Sequence, residues 1–288
     1  MTPIEKHTNT INNKTTMKKR TTLSMALASL AGAVITTSCS DDNSVDNDIM
    51  GPNVEFYAID GDNHLIRYNA QNVRNSVQEW TITGTESNEK ILGIDFRPVG
   101  GELYAVGSSN RIYTINKETG AATAVGLVPF TPGVDATEVG FDFNPTVDRI
   151  RLVTANGQNL RLHPETGVVA FVDGELNGVA NAKVTAAAYT NNTSDATTTD
   201  LYVIDVTTNR LYKQSPPNDG VLELVGDLGM NITAAGGFDI SADGQHIMAS
   251  LEVDGRHSLY SINLETGKAT RASSNFSKPI MGLAFPTM

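Results

Sequence analysis

A chain of 288 residues with 32 Asp and Glu against 21 Lys and Arg carries a formal net charge of −11, which argues against nucleic acid or an anionic membrane held by bulk charge. A single cysteine excludes an intramolecular disulfide. The length suits one large all-β domain behind a leader, and plentiful Gly, Asn, Thr and Asp suit many short strands joined by tight turns.

The first 38 residues read as a cleaved secretory signal. Lys18-Lys19-Arg20 form a charged start, and residues 23–35 a short apolar run. That run falls short of the ~20 apolar residues a spanning helix needs. Met17 stands directly before the basic cluster, so residues 1–16 read as an extension from a misplaced start codon. Residues 35–39 resemble a bacterial lipobox, which implies that Cys39 is lipidated; several acyl chains on one cysteine hold a membrane where a single chain would be marginal. Residues 39–53 form an acidic tether, and Ser40-Asp41-Asp42-Asn43 after the cysteine resembles the export signal of Bacteroides-type surface lipoproteins. The resemblance implies an outer-membrane lipoprotein exposed at the cell surface, with a periplasm-facing anchor as the alternative. Removing residues 1–38, with five basic side chains against Glu5, moves the balance from −11 to about −15.

From residue 54 onward the chain shows short runs of two-residue alternation and no amphipathic helix of useful length. Four of these runs repeat as a unit: 93–98, 102–106, 111–116 and 121–125, then 140–144, 149–154, 159–163 and 168–172. A third set covers 184–190, 201–205, 210–214 and 221–225, and a fourth 236–240, 246–251, 258–263 and 268–272. Each unit opens on a variant of one string: Gly93-Ile94-Asp95-Phe96, Gly140-Phe141-Asp142-Phe143, Ala186-Ala187-Ala188-Tyr189 and Gly237-Phe238-Asp239-Ile240. The string returns once more as Gly282-Leu283-Ala284-Phe285, near the C-terminus, while residues 54–59, 64–69 and 77–82 supply three strands with no first. Joined, the two ends complete a unit. The pattern predicts an all-β fold: a five-bladed β-propeller of four-stranded antiparallel blades over 54–288, its last blade closed by N- and C-terminal strands, which leaves no edge unpaired.

With the repeated string innermost, the connections 127–138 and 174–183 fall on the face where propellers usually bind ligands. Residues 191–200, a Thr/Asn/Asp insertion, fall on the other. Catalytic motifs are missing: no Walker-type loop, no Gly-x-Ser-x-Gly, no His-Glu-x-x-His and no cysteine pair. His64, His163, His246 and His257 lack ligand-like spacing and read as surface or turn residues, and Asp60-Gly61-Asp62-Asn63 reads as a hairpin turn.

Two groups invite chemistry. Asp95, Asp142 and Asp239 occupy one position of the innermost strand, where burial demands partners. They tie neighbouring blades together or, alternatively, converge on Ca2+, which favours oxygen ligands. The second unit gathers Arg149, Arg151, Arg161 and Asn159; a buried guanidinium must satisfy its fork of donors, either on scaffold acids such as Asp142 and Asp148 or on a ligand. Asp142, Asn159, Arg151 and Arg161 are therefore the ligand-binding candidates, with no catalytic residue assigned and no cofactor expected beyond the Ca2+ alternative. The run 140–145, Asp148-Arg149-Ile150-Arg151 and Gly157-Gln158-Asn159-Leu160-Arg161 resembles the uncharacterised bacterial family called domain of unknown function 4394, across residues 56–285. The resemblance implies an envelope-attached propeller without established activity. The expected function is a surface-attached binding module, monomeric, for a glycan or an envelope protein. The alternative is an extracellular hydrolase or lyase acting on carbohydrate or a lactone through axial carboxylates and a metal.

Overall fold

Alternating apolar and polar side chains, cut every few residues by turn formers, give twenty strands in five four-stranded antiparallel sheets. The computed structural model describes residues 49–287. The expected signal, Cys39 and the tether through residue 48 lie outside the described residues.

The first blade is β4 (Ile91–Phe96), β5 (Leu103–Gly107), β6 (Arg111–Ile115) and β7 (Ala122–Val125). The second is β8 (Val139–Asn144), β9 (Arg149–Thr154), β10 (Asn159–Leu162) and β11 (Val169–Val172). The third is β12 (Val184–Tyr189), β13 (Leu201–Asp205), β14 (Arg210–Gln214) and β15 (Leu222–Asp227). The fourth is β16 (Ala234–Ile240), β17 (Ile247–Val253), β18 (Arg256–Ile262) and β19 (Ala269–Asn275). The fifth joins β20 (Ile280–Ala284) to β1 (Glu55–Asp60), β2 (His64–Asn69) and β3 (Gln78–Thr81), with Tyr57 opposite Ala284 and Ala58 opposite Leu283. The predicted five-bladed propeller and its closure by both chain ends are thus what forms. A 3-10 turn, Pro217–Asp219, is the helical segment among the described residues.

The repeated string is innermost in every blade. β4 and β12 are buried at every position, whereas the outer strands β3 and β11 have no buried residue. The core lies between blades, as where Phe143 of the second meets Tyr104 of the first edge-on at 5.1 Å. The Glu-Thr-Gly turns close on Gly167 and Gly267 at φ 67° and 76°, a region that costs glycine little. The fourth blade's strands run longer than the sequence pattern indicates. Asp254 and Gly255 both hold positive φ in a two-residue turn, so the ladder continues up to the pair Val253 and Arg256.

Two backbone features shape the axis. The register slips by one residue early in β4, β12 and β16 and in β20, leaving an extra residue in each inner strand, among them Leu92, Thr185 and Met281; β8 has no such bulge. Below the bulges the inner strands approach closely. A Cβ placed on Gly140 would stand 2.7 Å from the Ala187 Cβ, and one on Gly237 would stand 2.4 Å from the Leu283 amide nitrogen. The axial space at this waist measures only ≈ 10 Å³, about what one water needs.

Candidate functional site

Beyond the waist, Asp95, Asp142 and Asp239 stand at one level, each 1% exposed, with an oxygen from each within 4.8 Å of the others. Each carboxylate reaches the next blade. Asp95 Oδ2 accepts the N–H of Phe143 at 2.8 Å, Asp142 Oδ1 that of Tyr189 at 3.1 Å, and Asp239 Oδ2 that of Phe285 at 2.6 Å. The third and fifth blades carry Ala188 and Ala284 at this position, so nothing reaches forward to Phe96 or Ile240. Those two amides are bonded instead by the neighbouring Asp95 and Asp239 through their Oδ1 atoms, at 2.7 and 2.6 Å. Three aspartates thereby satisfy all five equivalent buried N–H groups, and among the described residues none donates to Oδ2 of Asp142.

Charge at this spot is costly. Burial, reinforced by neighbouring carboxylates, pushes Asp95 and Asp142 well above the usual carboxylate range. Burial takes Asp239 to about 7, with the Phe285 and Ile240 amides pulling the other way. Shared burial thus disfavours three charges side by side, and a carboxylic acid can donate to its neighbour where a carboxylate can only accept. A hard cation would supply the alternative compensation; the three carboxylates could contribute to its oxygen shell.

The arginines of the second blade are drawn together by Asp173, beyond the end of β11. Arg151, 1% exposed, donates to Asp173 at 2.6 Å, Asn159 at 2.7 Å, Asn218 at 2.7 Å and the Tyr189 hydroxyl at 3.2 Å. Arg161 grips both oxygens of Asp173 and lies over the exposed ring of Phe171, 4.1 Å from its centroid. Burial raises the Asp173 carboxyl, but hydrogen bonds from Arg161 and Arg151 outweigh it and hold the group below its ordinary value. Asn159 donates to the carbonyls of Gly174 and Pro217, which stitches the second blade to the third. Arg149 bonds the nearby carbonyls of Val147 and Asp148. Asp148 is taken by Arg97 of the first blade and Asp142 by Tyr189, so neither acid serves these arginines. Among the ligand candidates, Arg161 borders a cleft of ≈ 540 Å³ beside residues 197–200.

A second opening lies on the other face, over the axis. A funnel of ≈ 300 Å³ sits over the waist, lined by residues of all five inner strands, including Leu92, Val139, Thr185, Ala235 and Met281. The bulges that free Leu92, Thr185 and Met281 from regular pairing place them in this lining, as bulges re-aim side chains elsewhere. Its rim is polar, with Glu138, Lys183, Glu252 and His257. The turn at Asp254-Gly255 sets Glu252 across from His257, Nε2 to Oε2 at 3.3 Å. Nδ1 of His257 is buried without a hydrogen-bond partner among the described residues. Burial, against the pull of Glu252, lowers the imidazole below its ordinary pKa and leaves it neutral at pH 7. Sequence reasoning grouped His257 with surface and turn histidines; the signal that could have separated it was its place two residues after an Asp-Gly hairpin, opposite a glutamate. The hairpin at Asp60 forms as read, its carboxylate accepting the amides of Asp62 and His64 at 2.9 Å each. Asp60, His64 and Glu79 cluster nearby, and the Lys278 ammonium, 3.1 Å from Asp60 and 2.7 Å from Glu79, already balances them.

No curated protein matches the chain. Among solved structures, one titled "Structure of Dos1 propeller" is similar at 12% identity, covering 81% of this chain and 67% of that one, with a TM-score of 0.44. The family model described as domain of unknown function (DUF4394) matches residues 64–284, nearly the whole propeller, and the chain belongs to that family.

Proposed function

We propose that this protein is an outer-membrane lipoprotein, anchored through Cys39 and exposed at the cell surface, whose propeller binds a glycan or an envelope partner through the funnel. The observation that carries the binding reading is the ≈ 300 Å³ opening over a closed waist, apolar within and polar at the rim, the usual make-up of a ligand pocket. All five blades contribute to it, so the site exists only in the closed ring. The anchor reading rests on the leader and lipobox residues. Two experiments test the pair. Cys39→Ala is expected to release the protein from the membrane fraction, and unchanged partitioning removes the anchor. The released protein is then probed on a glycan array and in envelope pull-downs. Binding that Thr185→Trp abolishes supports the funnel; binding that survives this obstruction places recognition elsewhere.

The approach of Asp95, Asp142 and Asp239 to within 4.8 Å favours a second reading, a hydrolase or lyase using Ca2+ at the axis. Their burial and the ≈ 10 Å³ waist keep a substrate in the funnel away from them. An ion held there would brace the ring. Calcium calorimetry decides: heat with a rise in thermal midpoint supports the metal, and neither leaves protons as the compensating charge.

A further inference from the structure

We propose that the groove between the fourth and fifth blades, opening beside the funnel, is a binding site for an anionic saccharide, gripped through its carboxylate or sulfate groups. The inference rests on the reading that this region of the propeller binds a glycan, and it narrows the ligand's chemistry. The groove measures ≈ 590 Å³, within the range of about 300–1,000 Å³ common for ligand sites. Its lining holds Arg74, Arg256, Lys278 and His257 and not one Asp or Glu. That is unexpected in a chain with 32 acidic against 21 basic residues, where a random patch would carry acids. Arg74 and Arg256 are exposed and enter no ion pair among the described residues. An unpaired guanidinium presents a planar fork that matches a carboxylate or sulfate through two parallel bonds.

The two arginines are held at fixed points. Arg256 follows the Asp254-Gly255 turn directly and pairs across it with Val253. Arg74 sits in the β2–β3 connection, its amide bonded to Asn72 at 3.0 Å, while Asn72 accepts the Ser274 hydroxyl of β19 at 3.1 Å. Lys278 is steadied by Asp60 and Glu79. His257 and Pro279 border both the groove and the funnel, so the two openings share a wall. A chain-like ligand can set acidic units along the groove and its end over the axis.

The test uses the Cys39→Ala protein and three probes in calorimetry: a galacturonate oligomer, a sulfated galactose oligomer and the neutral galactose oligomer of equal length. Either charged oligomer is expected to bind at least tenfold more tightly than the neutral one, and more weakly as salt rises. The double variant Arg74→Ala/Arg256→Ala is expected to lose that preference while keeping its thermal midpoint, since both side chains are exposed. The uronate and sulfate arms separate the two sources of charge, and success of either supports the site. Equal binding of charged and neutral oligomers, or a preference unchanged in the double variant, overturns the anionic groove and leaves the funnel reading standing. If none of the three oligomers binds, the anionic groove is overturned, and the funnel reading stands or falls on the glycan array and the pull-downs.

Discussion

The carboxyl group of Asp142 accepts the amide N–H of Tyr189 in the next blade at 3.1 Å, inside a ring where burial and neighbouring carboxylates raise its pKa and disfavour its charge. An acceptor is needed here, but a charge is not. Asp142→Asn, whose amide oxygen still accepts, is expected to leave stability at pH 7.5 within error of the parent or slightly higher. Asp142→Ala strands the Tyr189 N–H and is expected to cost about 1–3 kcal/mol by urea denaturation. Equal losses in the two variants would show that charge matters after all.

The same ring gives a pH dependence. Asp239 titrates at about 7 when folded against an ordinary 3.8, so between those values the native state binds more protons than the unfolded chain. Its contribution is full below pH 4, falls as pH rises and is gone above about 7. Asp95 and Asp142 act in the same sense. His257, shifted downward, acts in the opposite one, so the informative comparison is with Asp239→Asn. The denaturation midpoint of the parent is expected to drop more between pH 5 and pH 8 than that of the variant. Identical slopes would reject the shift.

Arg151 joins two blades through four donated bonds. Arg151→Met leaves the buried Asp173 carboxylate and two asparagine oxygens short of a partner, and about 3–5 kcal/mol of stability is expected to go. A residue reserved for a ligand would leave the denaturation midpoint where it was.

At the waist, Gly140→Ala forces a methyl to within 2.7 Å of the Ala187 Cβ and 2.8 Å of Val153. Overpacking of this kind costs about 1–3 kcal/mol. Gly61→Ala meets nothing within 4 Å and serves as the control, expected to be neutral.

Much of this was legible in the sequence. Period-two patterning, the returning Gly-x-Asp string and the missing first strand before residue 54 together define five blades and their closure. Spacing alone also foretells that the aspartates share one level. What it hides is pairing at a distance: Asp173 is an unremarked loop acid until folding brings Arg151 and Arg161 to it. The funnel was hidden for a different reason. Its lining depends on bulges, single-residue slips in register that leave the alternation of Leu92, Thr185 and Met281 unmarked. The substitution of Ala188 and Ala284 for aspartate looked like a weakened repeat and is in fact how three acids serve five amides.

The fifth blade has a mechanical consequence. β1 is an interior strand, laddered to β20 on one side and β2 on the other. Tension arriving from the N-terminal side enters at Glu55 and pulls along both ladders at once. Their bonds must shear together instead of peeling singly, so β1 cannot leave without also breaking its ladder to the chain's last strand.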